Sequence, residues 1–402
     1  MTQATSHYDS RYSWFRLGIS VLAATIGSVG TWAVIVTLPA VQAEFGLERG
    51  DASLAYTATM VGFGAGNLLI GRFIDRYGIT PAVMLASLAL ALGFAGSAMT
   101  NSFMVFCLLH GVFLGTGAAA VFGPLIADVS HWFLKSRGVA VATAACGNYF
   151  AGAIWPLVLK GPVAEYGWRP VFLSVAVACL VLMIPLALLL KRQPPRGEGN
   201  AKVAAVPLKP SSLTPSQLQA MLILAGFACC MAMSMPQVHI VAYCADLGFG
   251  AAAGAEMLSL MLAGGVVSRL VSGYAADRIG GVMTLIFGSL MQCLALLLFI
   301  PFDGLVSLYA VSLIFGLSQG GIVPCYAIIV REYLPSMEAG RRIGLVILAT
   351  TLGMAVGGWM TGWIYDMTGS YAQAFLNGIA WNLVNLAAMA MVLRRTRQIR
   401  LA

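Results

Sequence analysis

Charge is scarce in this chain. Of 402 residues only 9% are Asp, Glu, Lys or Arg, against 59% apolar, too few charged groups to solvate the surface of a water-soluble protein of this length. Eight cysteines (Cys107, Cys146, Cys179, Cys229, Cys230, Cys244, Cys293 and Cys325) show no C-x-x-C or Cys/His spacing. That excludes a zinc or redox motif and leaves them as small apolar packing residues, so no metal or other cofactor is expected. Apart from one linker the connections between apolar runs are short, with no room for a catalytic domain, so an enzyme is not expected either. A cleavable signal is also missing: Arg11 and Arg16 precede an apolar run too long for a signal core, and no cleavage motif follows.

Long apolar runs take the place of these features. A helix needs roughly 20 mostly apolar residues to cross a bilayer. Twelve stretches qualify, at about 17–38, 53–71, 80–99, 103–127, 138–160 and 169–190, then 217–243, 252–274, 282–301, 305–330, 343–364 and 372–393. The 45 glycines suit lipid, where small residues let helices approach closely. One sizeable polar stretch, 191–215, carries Lys191-Arg192, Pro194-Pro195 and Lys209-Pro210, a linker composition. It predicts a first bundle over 1–190 and a second over 216–402, with Thr214-Pro215-Ser216 as a helix start.

A net charge of +8 could suggest nucleic acid, but its distribution argues for a membrane. With the N-terminus in the cytoplasm, every basic residue except Arg49, Lys160, Arg169 and the intramembrane Arg269 falls on the cytoplasmic side. The basicity therefore encodes topology, no nucleic acid partner is expected, and the chain is predicted to span the cell's inner membrane with both termini on the cytoplasmic side.

Two short stretches repeat each other 202 positions apart. Gly71-Arg-Phe-Ile-Asp75-Arg76-Tyr-Gly78 and Gly273-Tyr-Ala-Ala-Asp277-Arg278-Ile-Gly280 share G-x-x-x-D-R-x-G, each just after an apolar run. At the same offset Gly167-Trp168-Arg169 faces the looser Gly369-Ser-Tyr371. Duplicated helical halves predict a carrier that rocks one half against the other around a central site.

Twelve spans, a long middle loop and the paired G-x-x-x-D-R-x-G loops resemble the major facilitator superfamily. The resemblance implies an all-α integral membrane protein, a monomer of two pseudo-symmetric six-helix bundles related by a two-fold axis along the membrane normal. The loops would gate it. Asp75 and Asp277 can cap the following helix or pair with basic groups of a neighbouring loop, latching one state. Gly71, Arg76, Gly78, Gly273, Arg278 and Gly280 complete those loops, although a tight turn with a solvated charge fits as well.

A narrower resemblance lies at the fourth connection. Trp132-Phe133-Leu-Lys135-Ser-Arg137-Gly138-Val-Ala140-Val-Ala142, followed by Gly147 and Gly152, is similar to the aromatic-x-K-x-R-x-x-A-x-G signature of monocarboxylate porters. That family includes bacterial oxalate/formate exchangers and lactate transporters. The segments Pro236-Gln-Val-His239-Ile-Val-Ala-Tyr243-Cys-Ala-Asp246-Leu-Gly248 and Arg269-Leu-Val-Ser-Gly273-Tyr-Ala-Ala-Asp277 resemble the bacterial members too. In the family an arginine four residues before the loop glycine binds the substrate carboxylate, which on this chain is Arg269. The implied function is secondary transport of a small organic monocarboxylate (lactate- or pyruvate-like, or a cyclic acid such as an aromatic-degradation intermediate), with a proton or in exchange for a counter-anion. Three departures bear on it: Gly265 where lactate-type members often carry an acid or amide, no lysine in the first span, and Thr350 where the oxalate exchanger has a second cation. A single cation suits a monoanion better than a dianion.

Physics singles out Arg269 independently. It stands eight residues before Asp277, about 12 Å along a helix from the loop. A guanidinium at that depth marks a binding site or relay by default, and its planar fork matches a carboxylate. An internal ion pair is the competing reading, but Glu256, the other acid of its span, is about 20 Å away. His239 can gate or carry a proton, or hydrogen-bond a backbone carbonyl. His110 is a weaker proton-coupling candidate and reads more readily as a packed, satisfied histidine. Asn148, Tyr149 and Tyr326 can donate hydrogen bonds to a substrate or sit at helix contacts, with Trp32 and Trp155 available to line a cavity. Asp128 reads as a loop-facing charge.

Two rivals share parts of this pattern. A drug/proton antiporter has the same fold, but its usual G-P-x-x-G-G element is replaced by Gly152-Ala-Ile-Trp155-Pro156-Leu, and span one has no acid. A non-transporting sensor would carry a large extra cytoplasmic domain, for which the linker is too short.

Overall fold

The computed structural model describes residues 8–192, 211–335 and 338–397; the side chains of Arg72, Asp75 and Arg397 lie outside the described set, as does most of the 191–215 linker. Every regular element among the described residues is a helix. Twelve are long and apolar enough to cross a membrane. Spans one to six are Arg11–Phe45, Arg49–Gly71, Ile79–Met99, Phe103–Ser130, Arg137–Tyr166 and Trp168–Leu189. Spans seven to twelve are Pro215–Asp246, Ala251–Ile279, Gly281–Leu298, Leu305–Tyr333, Ala339–Thr368 and Tyr371–Thr396.

Most spans run a few residues past the apolar segments that announce them. Span seven shows this. Thr214 caps it in a reciprocal box with Gln217, and Pro215 takes the first helical position, where a missing N–H costs nothing. Span nine stops short, ending at Leu298 rather than 301, because Pro301 biases the residue before it away from helix.

Two compact units emerge: residues 1–46 with 54–201, and residues 202–402 with 47–53. The first turn of span two thus packs with the second unit. The duplication is visible in the backbone. Gly46 (φ 64°), Gly78 (φ 84°) and Gly167 (φ 80°) have counterparts 202 residues on in Gly248 (φ 83°), Gly280 (φ 85°) and Gly369 (φ 68°). Each sits where the chain leaves one span for the next in a conformation that favours glycine.

Four spans are discontinuous. Span one breaks at Ser28, between helices Arg11–Gly27 and Val29–Phe45, and span five at Cys146, between Arg137–Ala145 and Gly147–Tyr166. Span four contains a π-helical turn, His110–Gly115, and breaks again at Val121–Phe122; span ten breaks at Gly320–Gly321. Broken helices free backbone carbonyls, and in membrane carriers such places recur at ligand sites.

In the first unit, Leu17, Val129, Trp132, Phe133, Ala140 and Ala144 form a buried cluster, half of it from the porter-like segment 132–142. Asp9 fixes that segment from outside the spans. Its Oδ2 accepts the backbone N–H groups of Leu134 and Lys135, and its Oδ1 that of Ser136, each at 3.0 Å.

Candidate functional site

In the second unit the polar interior gathers at the break in span ten. Arg269, half-buried in span eight, donates Nε–H to the carbonyl of Gly320 at 3.2 Å. The backbones meet closely here: a Cβ on Gly320 would lie 2.0 Å from the carbonyl oxygen of Gly265, so only glycine fits at 320. The preceding residue, Gln319, is fully buried and accepts a hydrogen bond from Gln237 of span seven at 2.5 Å. Its own Nε2 has no partner among the described residues. A cation, two amides and a backbone carbonyl thus gather at one helix break.

His239 lies in the same unit, buried in span seven, with Nε2 2.8 Å from the carbonyl of Gly358 in span eleven. Of the two sequence readings, the backbone bond is the one formed. The carbonyl fixes the neutral tautomer with hydrogen on Nε2; Nδ1 has no partner among the described residues. Tyr326 sits at a helix contact. Its side chain is fully buried and its hydroxyl donates to Asn385 Oδ1 at 3.0 Å. Asn385 in turn donates to Ser289 Oγ at 2.8 Å, and Asn382 to the Ser289 carbonyl at 2.8 Å. This network joins spans nine, ten and twelve, and ties up the Tyr326 hydroxyl.

In the first unit the breaks of spans one and five face each other. Trp32 Nε1 donates to Asn148 Oδ1 at 2.9 Å and to the Asn148 carbonyl at 3.0 Å. Trp155 Nε1 donates to the Thr25 carbonyl at 2.9 Å. Tyr149 follows Asn148 and is buried. His110 stands apart from this group on the π-helical turn. Its Nδ1 is 2.9 Å from the Phe106 carbonyl and its ring lies 4.1 Å from that of Phe106, with no exposure. It is packed, but its Nε2 has no partner among the described residues.

The repeated loops are exposed at Gly71, Arg76, Gly78, Gly273, Asp277 and Arg278. Arg76 stacks on Tyr77 and Arg278 on Tyr274, at 5.3 and 4.3 Å from the ring centroids. The N-cap positions of spans three and nine are Gly78 and Gly280, without side-chain caps, so Asp277 does not cap span nine. The Asp75 side chain lies outside the described residues.

The Major Facilitator Superfamily model matches residues 20–307 and 222–400. The chain belongs to that superfamily. Among curated relatives, Monocarboxylate transporter 13 of Bos taurus is 26% identical over 333 residues, 81% of this chain and 75% of the relative. Monocarboxylate transporter 11 of Mus musculus is 29% identical over 325 residues, 75% and 69%. Among solved structures, a bacterial homologue of the human lysosomal transporter Spinster superposes with a TM-score of 0.76 at 14% identity, covering 97% of this chain and 98% of its own. The chain is a multi-pass membrane protein of the facilitator fold, and these relatives are transporters rather than enzymes.

Two charge sites of this facilitator, one buried and one reaching the surface through its acids, escape a reading of its sequence. Arg16 and Asp128 form an ion pair that is almost completely buried, so Asp128 is not a loop-facing charge. Arg49 binds Asp246 through both Nη groups, at 3.0 and 3.1 Å, and also donates to the Tyr371 hydroxyl. Asp366 completes that cluster by accepting the N–H groups of Arg49 and Gly50, at 2.9 and 2.6 Å. A carboxylate there satisfies the first free donors of span two and meets the positive end of its dipole. The available signals were the isolation of Arg49 among the few basic residues of its side and the place of Asp246 in the span-seven segment that resembles the bacterial porters. Neither names a partner.

Proposed function

We propose that this facilitator carries a small organic monocarboxylate by alternating access, with a proton or in exchange for another anion, and that Arg269 binds the carboxylate. The observation that carries the reading is the setting of Arg269. It lies deep in span eight, and its Nε is tied to a carbonyl released by the span-ten break. Fixing Nε sets the plane of the guanidinium, and a pre-oriented fork loses less freedom on binding a carboxylate than a mobile one. The position also matches the carboxylate-binding arginine of the monocarboxylate porters, and the named relatives at 26% and 29% identity are monocarboxylate transporters.

In this reading Asn148 and Tyr149 are the polar substrate-binding candidates of the first bundle, and His239, with its bare Nδ1, is the foremost proton-coupling group of the second. Tyr326 acts by bracing spans nine, ten and twelve. The protein works as a monomer in the inner membrane, with both termini and the two G-x-x-x-D-R-x-G loops on the cytoplasmic side. The test is uptake of a panel of labelled carboxylates into cells and proteoliposomes, each paired with its amide and methyl ester. Saturable uptake of the acid alone is expected, accelerated by an inward proton gradient or by internal anion. Equal uptake of amide or ester would sink the reading.

A further inference from the structure

A cavity of about 380 Å³ opens between the first turns of spans seven and eleven, lined by Ser216, Gln219, Ile223, Glu338, Arg341 and Arg342 among others. Its size falls within the roughly 300–1,000 Å³ of small-molecule sites. We propose that it binds the headgroup of an anionic glycerophospholipid of the phosphatidylglycerol type.

The charges fit such a ligand. Glu338 is occupied by Arg342, at 2.6 Å from Nη2, and a second Arg342 nitrogen donates to the Pro215 carbonyl at 3.3 Å. Arg341 then leaves the rim with one net positive charge beside the N-terminal turns of two helices, where a single negative charge is favoured. A phosphodiester carries that charge. A zwitterionic headgroup would need a spare carboxylate for its ammonium, and Glu338 is already paired.

The second requirement comes from Gln219. It is 8% exposed and lines the cavity. Its Nε2 donates to the Arg342 carbonyl at 3.2 Å, which fixes the amide orientation and turns Oε1 away from that bond. Oε1 has no partner among the described residues. A buried acceptor without a donor is unfavourable until one arrives. An ionised phosphodiester by itself has only acceptors, whereas a glycerol headgroup brings hydroxyl donors next to its phosphate. Ile223 and Leu345 supply apolar wall where acyl chains would leave the headgroup. Basic pockets between membrane helices bind phospholipid headgroups in this manner.

The source of the phosphate, lipid or soluble, is separated by the choice of probe. Wild-type protein in detergent would be titrated with short-chain phosphatidylglycerol, phosphatidylcholine, phosphatidic acid, glycerol 3-phosphate and inorganic phosphate, reading thermal stabilisation and native mass. Phosphatidylglycerol should bind at least tenfold tighter than the other four. Arg341→Ala, an exposed position, should weaken it about tenfold. Gln219→Leu should erase the preference for phosphatidylglycerol over phosphatidic acid while leaving phosphatidic acid binding unchanged. Arg269→Gln should bind phosphatidylglycerol as wild type does, which keeps this result separate from the transport reading. Equal binding of phosphatidylcholine, glycerol 3-phosphate as tight as the lipid, or indifference to both pocket variants would each overturn the proposal.

Discussion

Arg16 and Asp128 face each other in a two-point ion pair, Nε to Oδ2 at 2.7 Å and Nη2 to Oδ1 at 2.9 Å, with the arginine 1% and the aspartate 8% exposed. Arg16 Nη1 also donates to the carbonyls of Leu190 and Arg192, each at 3.1 Å, and the guanidinium covers the Trp132 ring at 4.6 Å. One side chain therefore ties span one to span four, to the porter-like segment and to the end of span six. Removing one partner leaves a buried charge uncompensated, at a cost of about 3–5 kcal/mol. Asp128→Ala should lower the unfolding free energy by that order. A double Arg16→Met, Asp128→Leu change should recover a large part of it, because apolar side chains of similar volume commonly replace a buried pair without loss. Thermal unfolding in detergent distinguishes the two outcomes.

The amides at the span-ten break follow a related logic. Gln319→Met would strand the buried Gln237 Nε2 without its acceptor, at about 1–3 kcal/mol. The double Gln237→Met, Gln319→Met change should be closer to neutral, since both groups and the unpartnered Gln319 Nε2 are removed together. A double-mutant cycle on unfolding reads this coupling. Additive losses would show that the pair is not a unit.

The fold was more legible in the sequence than the site. Apolar run length, loop glycines and the G-x-x-x-D-R-x-G repeat each follow from a local pattern, and a local pattern is what a sequence displays. Thr214 caps span seven because a capping box spans four adjacent residues. Arg269 was legible because a charge in an apolar run is locally anomalous. Its Gly320 partner was not, since the bond joins residues 51 apart. The Arg16–Asp128 pair joins residues 112 apart and Arg49–Asp246 residues 197 apart; each charge looked like an ordinary span-end residue until folding brought its partner. The partner of Tyr326 was not legible for the same reason, because Asn385 sits 59 residues away.

Arg49 and Asp246 hold the first turn of span two within the second unit. Asp246→Asn keeps the side-chain shape but removes the charge, weakening bonds worth about 1.5–3 kcal/mol and raising local opening roughly tenfold or more. Ser53, fully buried one turn from Arg49, reports it. A Ser53→Cys probe should react with a water-soluble maleimide at least several-fold faster in the Asp246→Asn background. Unchanged labelling would mean that Asp366 alone anchors the turn.

Asp9 gives a pH dependence outside the spans. Slight burial pushes its carboxyl pKa up, but the amide donors from residues 134–136 outweigh that and hold it below the ordinary 3.8. A carboxylate depressed in the folded state adds stability that is fully present above the unfolded value and lost as pH falls through the lower, folded one. Wild-type protein should therefore lose stability below about pH 3.8 more steeply than Asp9→Asn, and the two profiles should run parallel above pH 5. Matching acid slopes would remove Asp9 as a pH-sensitive clasp on the porter-like segment.

Arg269 carries the proposed function, and three substitutions separate binding from folding. Lysine keeps the charge but loses the planar fork and the Nε donor that meets the Gly320 carbonyl, so Arg269→Lys should raise the apparent KM at least tenfold while the protein still inserts. Glutamine removes the charge, and Arg269→Gln should abolish saturable uptake with expression near wild type, because a cation that is costly to bury has gone. Gly320→Ala disturbs the same centre from the other side: a Cβ placed 2.0 Å from the Gly265 carbonyl must push spans eight and ten apart, displacing the Nε acceptor without touching any charge. Its uptake should fall with a raised KM, resembling Arg269→Lys more than Arg269→Gln. The measurements are carboxylate uptake and tryptophan-quenching titration on protein whose unfolding temperature has been checked. Intact transport in Arg269→Gln, or failure of that variant to fold at all, would make the arginine a structural member of its bundle and move the carboxylate site to the polar groups at the span-one and span-five breaks.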